Sequence, residues 1–308
     1  MTFYATFNQI LILFLTMLIG YGAKKLKYIS NTLNEGLSNL VMKVTLPAMI
    51  IKSMQFEFSR DLLFDSMQMI LVSIFVYAIA IGTSYGFPKL LGVEGKKRDI
   101  FQFILIFSNV GYMGYPIVNA IYGELGVFYT ALYNIPFNFF LLTFGVHVMS
   151  RSNDKEKTKI QYRKVLLSPG IIAVVTGFTL FLLSIELPPT IFQTLDSLGN
   201  TTTPLSMLII GSLLADIPIK KVFREEKLFS LAIARLILLP AIIMAILYTF
   251  GFRGLALGIP VVITAMPAAA NTAVFATLYN SDHYLASKSV FITTLLSLIT
   301  IPLLTFIL

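Results

Sequence analysis

Two stretches decide how this chain folds: Phe107-Ser-Asn-Val-Gly-Tyr-Met-Gly-Tyr-Pro116 and Thr264-Ala-Met-Pro-Ala-Ala-Ala-Asn-Thr272. Each lies inside a long apolar run, where an unbroken helix would be the default. Each carries the residues that stop one. Asn109, Gly111, Gly114 and Pro116 crowd the first, and Pro267, Asn271 and Thr272 interrupt the second. Glycine costs a helix about 1 kcal/mol relative to alanine, while proline lacks the backbone donor and clashes with the carbonyl four residues back. Unwound backbone at membrane depth is tolerated only where protein buries it or it lines a cavity. A single interrupted helix is as well explained by close packing, since Gly and Pro are common in membrane helices. Two interruptions at corresponding places, each with Asn near Pro, point to a binding site. The half-helix N-termini at such breaks would aim N–H groups and positive dipole ends at an anion.

The surrounding chain reads as membrane throughout. Of 308 residues, 56% are hydrophobic and only 12% charged, with a mean hydropathy of +0.83. A soluble domain is about one quarter charged, so lipid must be the solvent for much of this surface. There is no cysteine, which rules out a disulfide framework, a cysteine-based zinc site and a thiol nucleophile. His147 and His283 are too few for a histidine-rich metal site. The net charge of +8 is read as topology-setting loop lysines, and no nucleic-acid partner or cofactor is expected. Fourteen Tyr supply the interfacial belt that the absent Trp cannot.

Ten spans of about 20 apolar residues can be marked: 6–25, 33–54, 64–87, 100–121, 126–149, 165–185, 197–215, 228–250, 254–279 and 285–307. The first run has no basic residue ahead of it and no small-residue cleavage site, so it reads as a span with its N-terminus outside. Lys and Arg then sort by side. The outer loops hold only Arg60 and Arg253; Lys43, Lys52 and Arg235 fall within spans; every other Lys or Arg lies in an inner loop or at the inner end of a span. Adding or dropping one span would spoil this division. Both termini are expected outside, and the longest polar interval, Ser150–Lys164, is an inner linker.

The halves echo one another. Gly20 and Gly177, Pro47 and Pro204, and Tyr122 and Tyr279 all stand 157 residues apart, at equivalent places in five-span halves. Five is odd, so the halves must be inverted across the membrane, an architecture of many secondary transporters. The fold class expected is therefore an all-α polytopic membrane protein: ten transmembrane helices in two inverted five-helix repeats, with broken helices 4 and 9.

The segment Asn109-Val-Gly-Tyr-Met-Gly-Tyr-Pro116, running on to Tyr122-Gly123, resembles the fourth helix of the auxin efflux carrier family, which includes plant PIN proteins and bacterial malate and malonate permeases. Met266-Pro267 through Tyr279-Asn280 and on to Ile301-Pro302 is similar to the ninth and tenth helices. Pro47 and Pro204 match the proline-containing second and seventh. The resemblance covers nearly the whole chain. It implies that helices 4 and 9 cross. It implies a scaffold over 1–60 and 165–218, a transport domain over 61–149 and 219–308, and a linker at 150–164. It implies elevator-type alternating access in a cell membrane, with Asn109 holding a substrate carboxylate beside Pro116 and Pro267. Ser108 stands where plant members carry proline, so a small carboxylate of the malate or malonate kind is the expected substrate. By analogy with the family, a homodimer through the scaffold is expected.

An ionisable residue inside the membrane is a functional candidate. Lys43, one turn before Pro47, could meet a carboxylate near the crossing, or snorkel. Lys52 can reach the outer surface. Arg235, a third of the way along span eight, reads as snorkelling inward or making a helix–helix contact. Asp65, Glu124, Glu186, Asp196 and Asp216 all fall at span ends, which disfavours cation exchange. Neutral oxygens remain for any coupling ion, among them Asn109, Asn271, Thr272, Thr202 and Thr203. The candidate substrate site is thus Asn109, Gly111, Gly114, Pro116, Pro267, Asn271, Thr272, Pro47, Lys43 and Thr203. Three other classes compete with a small-anion carrier. A sodium-coupled symporter of the bile-acid type differs by sodium dependence. A receptor would need a partner to signal through. An intramembrane enzyme lacks a nucleophile–base pair at depth.

Overall fold

The computed structural model describes residues 3–151, 167–216 and 226–307. Most of the 150–164 linker, with its lysines, and Lys220, Lys221 and Arg224 lie outside the described residues. Helices account for nearly all that is described, in the order α1 (Phe3–Lys25), α2 (Asn31–Leu40), α3 (Leu46–Ser53), α4 (Arg60–Leu90), α5 (Gly95–Ile106), α6 (Tyr115–Phe140), α7 (Val146–Ser150), α8 (Pro169–Leu182), α9 (Pro189–Asn200), α10 (Thr202–Ala215), α11 (Glu226–Ile233), α12 (Leu239–Thr249), α13 (Leu255–Ala265), α14 (Thr272–Leu278) and α15 (His283–Ile307). Among the described residues there is no strand, only one isolated antiparallel bridge, Ser108 with Ala268.

Among the described residues, six helical runs are long and apolar enough to cross a membrane: Phe7–Lys25, Arg60–Leu90, Val110–Ser150, Pro189–Ala215, Glu226–Thr249 and His283–Ile307. The apolar helices α8 and α13 are shorter. Ile19, Phe64 and Leu71 are 65%, 68% and 66% exposed, which suits lipid and not water. The run Val110–Ser150 is 41 residues long, twice what a bilayer needs. It turns at Gly123, whose φ of 64° and ψ of −155° are non-helical. An L side chain rarely adopts that conformation, so glycine sets the corner.

Among the described residues, four five-residue π turns interrupt the helices, at Val41–Thr45, Val110–Gly114, Leu141–Gly145 and Ala234–Leu238. Three of them end two residues before a proline: Pro47, Pro116 and Pro240. The cause is steric. A proline ring displaces the carbonyl four residues back, and a wider turn carries that carbonyl aside. Leu46 N–H accordingly donates to Val41 O, and Leu239 N–H to Ala234 O, each five residues back.

The chain divides into two compact units. The first comprises Met1–Ile70, Gly111–Ile135 and Arg163–Asp216; the second comprises Leu71–Val110, Pro136–Tyr162 and Ile217–Leu308. In the first, α1 lies against α10 backbone to backbone. A Cβ on Gly20 would stand 2.3 Å from Leu208 O, and one on Gly211 would stand 1.8 Å from Met17 O. Small residues permit this approach, and apolar side chains seal around it. α3 meets α9 at Gly199, against the Met49 backbone, and α8 meets Met54 at Gly177. At one end Lys25 donates to Ala215 O at 2.8 Å, and Lys24 pairs with Asp216 at 3.2 Å. Two cations thus meet the negative end of α10. At another place Lys52 holds both Glu124 and Asp196, the latter at 2.9 Å. Lys52 is therefore anchored between two acids from α6 and α9.

The second unit packs around aromatic rings. Phe103, Phe107 and Phe137 stack in succession, with centroids 4.8 and 5.9 Å apart. Phe275 of α14 closes on Phe103 at 5.5 Å. Asp99, fully buried at the start of α5, takes Arg151 from the end of α7, and Arg151 also donates to Gln102 at 2.5 Å. A buried carboxylate without such a partner would cost several kcal/mol.

Candidate functional site

The second unit contains both broken segments. α5 ends at Ile106 and the chain becomes extended at Phe107, with φ −106° and ψ 114°. α13 ends at Ala265 and Met266 is extended as well, with φ −63° and ψ 148°. The two extended pieces pair. Asn109 N–H donates to Pro267 O at 2.9 Å, and Ala269 N–H donates to Phe107 O at 3.2 Å. Ser108 and Ala268 face each other between these bonds. Breaking two helices in an apolar interior frees polar groups that must find partners. The pairing satisfies four of them reciprocally.

The remaining groups are met by side chains. Ala268 N–H donates to Thr293 Oγ1 of α15 at 3.2 Å. Ala269 O accepts from Thr272 N–H at 2.9 Å and from Thr272 Oγ1 at 2.5 Å. Leu105 O would ordinarily take the N–H of Asn109, now turned to Pro267. It accepts instead from Arg235 Nη1 at 2.8 Å, and Met266 O accepts from Arg235 Nε at 3.2 Å. Arg235 sits in the π turn Ala234–Leu238 and is 1% exposed. A hydrogen bond to a charged group is worth about 1.5–3 kcal/mol, and a bare buried carbonyl costs about 1–3 kcal/mol. One guanidinium thus offsets the largest electrostatic debt of both breaks.

The sequence-named residues divide by unit. Asn109, Pro267, Asn271 and Thr272 belong to the second. There Asn109 and Pro267 are hydrogen-bonded through their backbones. Asn109 is 3% exposed and Thr272 fully buried, whereas Asn271, capping α14, is exposed and its side chain makes no cap bond. Gly111, Gly114, Pro116, Pro47, Lys43 and Thr203 belong to the first unit. Gly111 faces the side chain of Met42, to which an added Cβ would stand 3.4 Å away. That brings the π turn before Pro116 onto the π turn before Pro47. Lys43, in the latter turn, is exposed; Gly114 and Pro116 are buried; Thr203 is half-buried in the first turn of α10.

Two polar residues went beyond what sequence reasoning assigned. Arg235 was legible as an intramembrane cation, and as making a helix–helix contact, but its acceptors are backbone carbonyls that no side-chain pattern betrays. Asp99 sits at the edge of an apolar run and looks like part of the basic loop Lys96-Lys97-Arg98; only its pairing with Arg151 shows it to be interior.

The model of the family described as membrane transport protein matches residues 5–305. An uncharacterized transporter of Methanocaldococcus jannaschii is 26% identical over 301 residues, 96% of each chain. One from Methanothermobacter thermautotrophicus is 26% identical over 307 residues, 98% of each. A protein of Rhizobium meliloti named "Putative malonate transporter" is 26% identical over 201 residues, 63% of this chain and 62% of that one. The resemblance carried by Asn109 to Pro116 and by Met266 onward thus extends over the whole chain, which is a multi-pass transport protein and not an enzyme. It belongs to the membrane transport protein family, that of the auxin efflux carriers.

Proposed function

We propose that this protein is a secondary transporter of a small organic anion, a carboxylate of the malate or malonate kind, and that the paired breaks after α5 and α13 form its substrate site. The observation that carries the reading is the direct backbone pairing of the two breaks beside the buried Asn109. A carrier needs polar groups inside the bilayer that a ligand can reach and the lipid cannot. Helices interrupted at matching places provide them. The name of the Rhizobium relative supports the carboxylate class.

The architecture that goes with this is ten transmembrane helices in two inverted repeats, helices 4 and 9 crossing at their breaks. In that scheme α1 is helix 1, α8 helix 6, α10 helix 7, and α2 with α3 form helix 2. The close contacts at Gly20 and Gly211 join helix 1 to helix 7, and that at Gly177 joins helix 6 to helix 2. These pairs exchange under a repeat that maps 1 to 6 and 2 to 7, which supports the symmetry. Helices 1, 2, 6 and 7 act as scaffold and join two copies of the chain in a homodimer. Helices 3–5 and 8–10 move as an elevator in the cell membrane, with both termini outside. The compact units follow this partition for helices 1, 2 and 6–10 and depart from it over 61–70 and 111–135.

The test is uptake of radiolabelled malonate and malate into proteoliposomes, with and without sodium or pH gradients, for wild type and Asn109→Ala. Saturable uptake lost in the variant supports the reading. Uptake no greater than in empty vesicles removes the dicarboxylate assignment. Uptake that requires sodium favours the bile-acid type of symport.

A further inference from the structure

Arg235 has no part in the transport scheme above, yet it is the buried cation nearest both breaks by bonding. Its guanidinium keeps its charge at any pH the protein survives. It lies in the middle of the apolar run Glu226–Thr249, 1% exposed. It bonds carbonyls at the ends of two different helices: Leu105 O, in the last turn of α5, at 2.8 Å, and Met266 O, just past α13, at 3.2 Å. Leu105 stands two residues before Phe107 and Met266 one before Pro267, where the two paired pieces begin. The carboxyl ends of two helices carry partial negative charge and would repel an anion. A cation bonded to both offsets that charge, since two helix ends carry about half an elementary charge each.

We propose that Arg235 is the positioning residue of the site. Its planar fork spans the carbonyl ends of both half-helices, keeps Ser108 opposite Ala268, and offsets the negative charge of both ends, which favours anions over neutral ligands. Lysine would preserve the charge but not the fork, since its ammonium is a point donor on a flexible stem. The clamp stands on the geometry alone; the selectivity rests on the anion-carrier reading.

Two readouts separate the parts. Hydrogen exchange is followed in peptides covering 107–109 and 266–269 for wild type, Arg235→Lys and Arg235→Gln. Faster exchange there in both variants, with the α1–α10 pair unchanged, is expected, and exchange equal to wild type would overturn the clamp. In proteoliposomes, Arg235→Lys is expected to raise the malonate KM by about tenfold or more with a smaller change in kcat, as loss of a charge-assisted fork would. A wild-type KM overturns the positioning role. In case the variants do not fold, competition on the wild-type protein decides the charge: malonamide should fail to compete with malonate, and equal competition overturns selection by Arg235. If wild type carries no malonate, the substrate reading has failed, and the exchange result still decides the clamp.

Discussion

The breaks after α5 and α13 share one hydrogen-bonded bridge but leave it differently. After Asn109 the chain enters a π turn at once and continues helically to the corner at Gly123. After Pro267 it stays irregular through Asn271 and resumes as α14. Asn109 is buried at the first break, and Asn271 is exposed at the second. Thr293 and Thr272 support the second break from the side, and Arg235 holds a carbonyl at each. One break is a short joint that passes straight into a π turn, the other a longer irregular stretch held by hydroxyls. Two segments that look alike in sequence thus divide the work: the first fixes a buried amide, and the second supplies the backbone against which it is fixed.

The largest effect should come from attacking the shared bridge. Ala269→Pro removes the N–H given to Phe107 O and adds a ring, and should destabilise by about 3 kcal/mol or more, read as a fall in melting temperature in detergent. Next is the difference between the amides. Asn109→Ala should abolish saturable malonate uptake, while Asn271→Ala should leave it within about threefold, because loss of an exposed side chain opens no buried unsatisfied group. Equal losses would mean that the breaks are functionally equivalent. Thr293→Val removes the acceptor of Ala268 N–H and should cost about 1–3 kcal/mol, with faster exchange confined to the second break. The smallest effect is Gly111→Ala, since its Cβ would meet Met42 Sδ at 3.4 Å, an ordinary contact. Stability should stay level or rise by up to about 1 kcal/mol.

How much of this was written in the residues differs by feature. Pro116 and Pro267 announce the breaks because proline acts locally, through its own ring and missing donor. Gly123 falls in the gap between two marked spans for the same reason, its conformation being a property of one residue. The π turns before Pro47, Pro116 and Pro240 escaped notice because hydrophobic periodicity hardly registers one extra residue in a turn. The pairing of Ser108 with Ala268 joins backbone atoms 160 residues apart, and neither residue has a side chain that advertises it. Lys52 read as a surface cation; its bonds to Glu124 and Asp196 depend on α6 and α9 arriving beside α3. Arg235 was visible as a charge out of place, but what it holds is carbonyl oxygen, which every residue has.

The pairing of the breaks can be tested directly because the chain has no cysteine. Ser108 and Ala268 form a non-hydrogen-bonded antiparallel pair, flanked by the bonds from Asn109 and Ala269, and such pairs hold their Cα atoms about 4.5 Å apart, within disulfide range. The measurement is oxidation of the double variant Ser108→Cys and Ala268→Cys in membranes, followed by peptide mass spectrometry. A reductant-reversible cross-link in most of the protein is the expected result. Two free thiols after exhaustive oxidation, in a variant that remains folded, would contradict the paired breaks on which the whole reading stands.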